Sequence, residues 1–200
     1  MGSKIMPSNV NTFHEVRNSR IASAIANNNP HEAQEQIDRG FDVNLKLGDG
    51  FDTPILSVIV SERAYDVLET FLKAGANIHA SCCEGDTPLH EAAAYNDPTS
   101  LQILIDAGAD VNKRAEFGHT PLFYTRSREC QEILIEAGAD PTLRNNHGQS
   151  VDEVNLNLCR FDVLDVHTDL CAQYEAKLQR SAISSALEDV PTKTVRARRM

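Results

Sequence analysis

The triplet Thr-Pro-Ile/Leu starts at Thr53, Thr87 and Thr120, at steps of 34 and 33 residues, and Ser150-Val151 follows after a further 30. A second series keeps the same phase: RGFDVN (39–44), AGANIH (74–79), AGADVN (107–112) and AGADPT (137–142). Two independent marks on one period restrict the chain to a repeat architecture, because a unit this short cannot bury its own apolar face and must stack on its neighbours.

The residues within each period say what one unit is. A Thr followed by Pro predicts a helix start: the hydroxyl can cap free amides, and Pro fits the first helical position, whose amide has no intrahelical partner. Small residues follow (Ala92 and Ala93), so this helix can approach its neighbours closely. After a turn, stretches such as LQILIDAG and CQEILIEAG place Leu and Ile on one stripe of a second helix. Gly40, Gly75, Gly108 and Gly138 end those second helices, where a left-handed residue is needed. A polar segment with its own glycine (Gly85, Gly118, Gly148) then predicts a hairpin-like turn before the next unit.

GDTPLHEAAA (85–94) together with AGADVN resembles the ankyrin repeat, and the resemblance covers roughly residues 15–155. It implies an all-α solenoid of helix-turn-helix units with hairpin-like loops. It also implies that Thr87 and His90 are structural, the histidine bridging by hydrogen bonds to the threonine and to neighbouring backbone. The pair His90-Glu91 would otherwise suggest a zinc hydrolase. Position 94 is alanine, however, so the second histidine of His-Glu-x-x-His is missing and no metal or cofactor is expected.

The expected organisation is an N-terminal lead over 1–15, disordered or an expression remnant, and a repeat domain over 16–155. A helical cap over 156–190 and a flexible basic tail over 191–200 follow. An irregular first unit occupies 16–44 and lacks Thr-Pro, as end units often do. Full units span 45–78 and 79–111, a shortened one 112–141, and a half unit starts near 142. In that half unit Ser150 and Glu153 fit a capping box. Three departures stand out. LGDGFD (47–52) carries an extra residue and should bulge. The fourth unit is three residues short, through either a tolerated deletion or a notch in which Tyr124 and Arg126 meet a partner. Leu56 and Phe123 replace His90, so apolar packing must substitute for its hydrogen bonds. Beyond the repeats, Val163, Val166, Leu170, Tyr174 and Leu178 predict an amphipathic helix over 160–180, a cap or a docking element.

Composition narrows function more than fold. Nothing in the sequence approaches the roughly 20 apolar residues of a membrane span. Five irregularly spaced cysteines without a Cys-x-x-Cys pair argue for a reducing, cytoplasmic setting, with a nuclear protein or a translocated effector as alternatives. The net charge is −10; without Lys193, Arg196, Arg198 and Arg199 of the tail it would be −14. So acidic a body disfavours nucleic acid and favours a basic protein surface.

In the ankyrin family the hairpin tips and the outer faces of the first helices form a concave groove that binds proteins. By position, that groove would comprise Asp49, Phe51 and Asp52, then Cys83, Glu84, Asp86 and Tyr95. From the later units it would add Glu116, Phe117, His119, Tyr124 and Arg126, then Asn146, His147 and Gln149. Aromatic anchors with an acidic rim suit capture of a basic partner. The expected function is a non-enzymatic adaptor or inhibitor, monomeric, with a homodimer through the C-terminal helix as the alternative. An obligate subunit docking through that helix is a second reading. An enzyme with an unfamiliar site around His119, Tyr124, Arg126 or His147 is a third. Asn112 sits where some members of the family are hydroxylated.

Overall fold

Each period of the sequence becomes a pair of helices followed by a loop. The structure, a computed structural model, describes residues 19–157 and residues 172, 174–176, 178 and 179. Unit one contributes α1 (Arg20–Ala26) and α2 (Pro30–Asp38). Unit two has a short antiparallel ladder, β1 (Lys46–Leu47) with β2 (Thr53–Pro54), then α3 (Ile55–Ser61) and α4 (Tyr65–Lys73). Unit three has α5 (Pro88–Ala94) and α6 (Pro98–Asp106), and unit four α7 (Pro121–Tyr124) and α8 (Arg128–Glu136). The half unit supplies α9 (Val151–Asn157). The expected lead 1–15, the tail 191–200 and most of the helix over 160–180 lie outside the described residues. Those described within 172–179 are helical, and Tyr174 packs against the core.

Helices of a unit pack on each other and on their counterparts in the next unit: α3 on α5, α5 on α7, α7 on α9, and likewise α2, α4, α6 and α8. The shared core is aliphatic, with Ile55, Ile59, Leu68, Leu89, Leu101, Leu104, Leu122 and Leu134 all buried around Phe71. Ala92 and Ala93 are fully buried, as the close approach of first helices demands. Leu56 and Phe123 are buried where His90 stands in unit three, so apolar contact does replace the strut.

The Thr-Pro expectation of a helix start holds at Thr87 and Thr120, the N-caps of α5 and α7 with proline at the first helical position, and fails at Thr53, where Pro54 itself precedes α3. Only Thr87 enters a reciprocal cap, and its partner is a side chain: the Thr87 N–H donates to His90 Nδ1 at 3.2 Å, with Thr87 Oγ1 2.9 Å from the same nitrogen. Thr53 begins strand β2 and donates its hydroxyl to Asp49 (2.6 Å), and Thr120 makes no side-chain cap bond. At Ser150 and Glu153 the capping box forms as expected, with bonds of 3.2 and 2.7 Å.

Unit four is shortened at the inter-helix turn. The other turns each carry a left-handed residue, Asn28 (φ 46°), Arg63 (φ 55°) and Asn96 (φ 48°). The deletion removes that residue, α7 stops after one turn, and Thr125 crosses in extended conformation (φ −69°, ψ 141°). Asn96 of unit three stabilises the crossing by accepting from the Arg126 N–H at 2.6 Å. In α8, Gln131 takes the position that Leu101 holds in α6, and its buried amide has no hydrogen-bond partner among the described residues.

The tips share one turn. In 82–86, 115–119 and 145–149 the first amide donates to the last carbonyl (3.0, 2.8 and 2.9 Å), and the glycine amide closes the turn. Successive tips are then tied by backbone bonds: Cys83 N–H to Phe51 O (2.8 Å), Glu116 N–H to Glu84 O (2.7 Å) and Asn146 N–H to Phe117 O (2.7 Å). A Cβ on Gly85 would sit 3.3 Å from Ala115 Cα, and one on Gly118 would collide with the Asn146 side chain. Gly40, Gly75, Gly108 and Gly138 meet no such obstacle and are glycine for φ alone (87–98°).

Two expectations follow. Gly118→Ala should destabilise more than Gly138→Ala: both incur the left-handed cost of roughly 1–2 kcal/mol, but only Gly118 also displaces the next tip. Equal midpoints in urea would contradict the stacked tips. The second concerns pH. Because the Thr87 N–H can only donate, His90 Nδ1 must accept, which places the ring proton on Nε2, 3.4 Å from His119 O. Burial lowers the His90 pKa from 6.5, against the opposite pull of Asp86 and the His119 and Lys113 carbonyls, while the Lys113 charge lowers it further and the Tyr124 ring lies edge-on. The fold thus favours neutral His90. Its contribution is present above pH 6.5 and is lost as pH falls from there toward the lowered value. Thermal unfolding followed by circular dichroism should show stability falling on acidification through this window. His90→Leu, which copies Leu56, should flatten that fall and leave the share from His119, whose pKa burial also lowers.

Candidate protein-interaction surface

The tip ladder brings most of the sequence-derived candidates onto one edge of the stack. Phe51, Cys83, Glu84, Glu116, Phe117 and Asn146 all contribute backbone atoms to the ladder and are exposed, the Asn146 side chain lying back against Gly118. Phe51, Tyr95 and Phe117 are 56%, 48% and 53% exposed, unusual for large aromatic groups. Asp52, Arg126 and His147 are exposed as well, whereas Asp49, Asp86, His119, Tyr124 and Gln149 are half-buried.

The half-buried candidates hold the exposed ones in place. Asp49 organises the bulged first tip by accepting from the Phe51 and Thr53 amides and the Thr53 hydroxyl. Burial alone would raise its pKa, yet these bonds outweigh it and the carboxylate is stabilised. Tyr124 donates to Asp86 Oδ1 at 2.8 Å, tying α7 of unit four to the tip of unit three. Burial, that bond and the nearby charges of Asp86 and Glu84 hold its phenol pKa well above the ordinary value. Tyr124 is therefore already engaged within the protein, while Arg126, beside it in sequence, presents its side chain outward.

In the last tip Asn145 Oδ1 accepts from the His147 and Gln149 amides, so its nitrogen faces His119 Nε2 at 3.2 Å and donates there. His119 is consequently neutral with its proton on Nδ1. Its ring stacks on Phe123 at 4.9 Å, and Phe117 lies between His119 and His147, 6.3 Å from each. Phe117 stands out: its φ of 59° and ψ of 4° are left-handed, a region bulky residues avoid. The equivalent tip residues Glu84 and His147 are not left-handed.

Sequence reasoning missed Glu91. It shares the exposed flank of α5 with Tyr95, one turn away, and burial followed by the charges of Asp86 and Glu84 raises its pKa. Three carboxylates thus converge where the tip of unit three meets its first helix. Glu91 was passed over together with His90 because the metal pattern failed, although its place on the outer flank of a first helix pointed to the groove. Asn145 was missed too; only its tertiary partner His119 reveals its role. Asn112, by contrast, is fully occupied: its nitrogen donates to Gly138 O and its oxygen accepts from the Asp140 N–H. Among the described residues no three His, Cys, Asp or Glu side chains are placed to hold a metal, and no helix is long and apolar enough to cross a membrane.

Comparison with known proteins agrees with this architecture. The family profile described as ankyrin repeats (3 copies) matches residues 21–115 and 56–145, together more than half of the chain. An ankyrin repeat-containing protein of Schizosaccharomyces pombe is 36% identical over 97 residues, 48% of this chain and 47% of the relative. An ADP-ribosylation factor GTPase-activating protein of Arabidopsis thaliana is 30% identical over 152 residues, 68% of this chain but 19% of the relative. A putative ankyrin repeat-containing protein of Treponema pallidum is 32% identical over 118 residues, 57% and 39% respectively. The chain spans less than half the length of each of these relatives. With the repeat period, the paired helices and the tied tips all agreeing with that match, the chain belongs to the ankyrin-repeat family.

Proposed function

We propose that this chain is a non-enzymatic interaction module, an adaptor or inhibitor, that grips a basic protein surface along its tips and the outer flanks of its first helices. The observation that carries this reading is Phe117. A largely exposed aromatic side chain is held in left-handed backbone that Asn or Gly would adopt with less strain, and such strain is concentrated at functional positions. Phe51 and Tyr95 offer two further rigid anchors, and Asp52, Glu84 and Glu116 supply the steering charge. None of the activity of the GTPase-activating relative is carried over, because the match covers 19% of that protein.

The test uses affinity capture from the source cell with wild type beside Phe51→Ala/Tyr95→Ala/Phe117→Asn. Tyr124 is left intact because its bond to Asp86 is structural. Phe117→Asn alone should hold or raise thermal stability, by about 1 kcal/mol if the left-handed strain is relieved, while partner capture falls in the triple variant. A stoichiometric partner retained by the folded triple variant would refute the tip surface and move attention to the C-terminal segment.

A further inference from the structure

We propose that in the free protein the exposed aromatic face formed by the tips of units two to four is covered by the chain's own basic segment, residues 193–199 (KTVRARR). This rests on the reading of that face as a docking surface and names the ligand that holds it when no partner is bound.

The face itself selects for cations next to apolar groups. Phe51, Tyr95 and Phe117 stand about half exposed, and Asp52, Glu84, Asp86, Glu91 and Glu116 are distributed among them. Lys46 donates to Ser81 O, Arg114 to Arg144 O, and Arg144 to Gly148 O and Glu153, so these three side chains spend hydrogen bonds elsewhere than on the acids of the face. Arginine fits such a surface better than lysine, since its planar guanidinium both stacks on aromatic faces and pairs with carboxylates.

The occupant is on the same chain. Residues 193–199 carry Lys193, Arg196, Arg198 and Arg199 and no acid, whereas the rest of the chain carries a net −14. In extended conformation Arg196 and Arg198 project to one side, roughly 7 Å apart, which lets neighbouring guanidinium groups engage neighbouring positions along the face.

Reach permits it. Tyr174 packs on the core and feels the charge of Asp140 in unit four, so the C-terminal residues start beside the last full unit. Thirteen residues, fourteen steps of chain, separate Gln179 from Lys193. They can span about 48 Å extended, and about 32 Å if the stretch to Leu187 is helical. Units stack at helix-packing distances of roughly 8–10 Å, so the tips of units two to four, at most two spacings from unit four, are within range in either case. Tethering supplies an effective concentration near millimolar, so even a weak intrinsic affinity keeps the face occupied.

The experiment titrates a fluorescein-labelled peptide of residues 191–200 into full-length proteins and reads fluorescence anisotropy. Three chains are compared: wild type, Lys193→Ser/Arg196→Ser/Arg198→Ser/Arg199→Ser, and the latter with Glu84→Gln/Glu91→Gln. Those two glutamate side chains take no part in the tip ladder, which uses backbone atoms, and circular dichroism verifies folding of all three. If the tethered segment occupies the face about nine-tenths of the time, neutralising it should tighten peptide binding about tenfold. The glutamate changes should reverse that gain, and added salt should weaken what remains. Equal affinity of wild type and the serine variant would overturn the inference while leaving the face as a docking surface for basic peptides. Failure of the peptide to bind the serine variant would also overturn it, and the capture experiment above would then decide separately whether the face binds a partner. A concentration-dependent dimer that the serine changes abolish would place the segment on a second copy and refute occupation within one chain.

Discussion

Three backbone hydrogen bonds between tips fix how the units sit on one another, and the binding face follows from them. Burial of Leu and Ile between helix layers supplies the bulk of the driving force, but it is non-directional and tolerates sliding. The bonds from Cys83, Glu116 and Asn146 to the preceding tip do not. They set the spacing of Phe51, Glu84 and Phe117 along the edge. They also explain why Gly85 and Gly118 are confined by their neighbours while the helix-ending glycines are confined only by their own dihedral angles.

A second set of ties crosses from tips to helices. His90 joins its own cap to the carbonyl of His119, Tyr124 joins α7 to Asp86, and Asn96 supports the shortened crossing at Arg126. Each spans two consecutive units, so the polar groups nearest the face maintain its shape and leave the outermost side chains available for contact. Rigid anchors on a rigid support lose little conformational entropy on binding, which is where affinity is most often forfeited.

Most of the architecture was legible because periodicity reports burial directly: a helix that must stack on both sides repeats its apolar and small residues in phase, as Leu89, Ala92 and Ala93 do. The candidate face was legible in outline for the same reason, since tip and first-helix positions recur. What the sequence concealed were partnerships made only in three dimensions. Nothing adjacent in sequence to Tyr124 says that it will be claimed by Asp86 thirty-eight residues earlier, or that Asn145 will meet His119. Glu91 joins the face through its tertiary surroundings, burial and the charges of Asp86 and Glu84 together raising its pKa.

Unit four has a consequence for how the molecule comes apart. It has a first helix of one turn, no left-handed inter-helix residue, and a buried Gln131 amide unsatisfied among the described residues where unit three buries Leu101. Stability in a stack is the sum of unit terms and nearest-neighbour interfaces, so opening starts where those terms are smallest. The solenoid therefore has a firm middle and a soft downstream shoulder. The face straddles that boundary, with Glu84 on the firm side and Phe117 on the soft one, joined through Glu116. Any ligand lying across both clamps the shoulder shut, and occupancy of the face is thereby recorded as resistance of the whole C-terminal half to fraying.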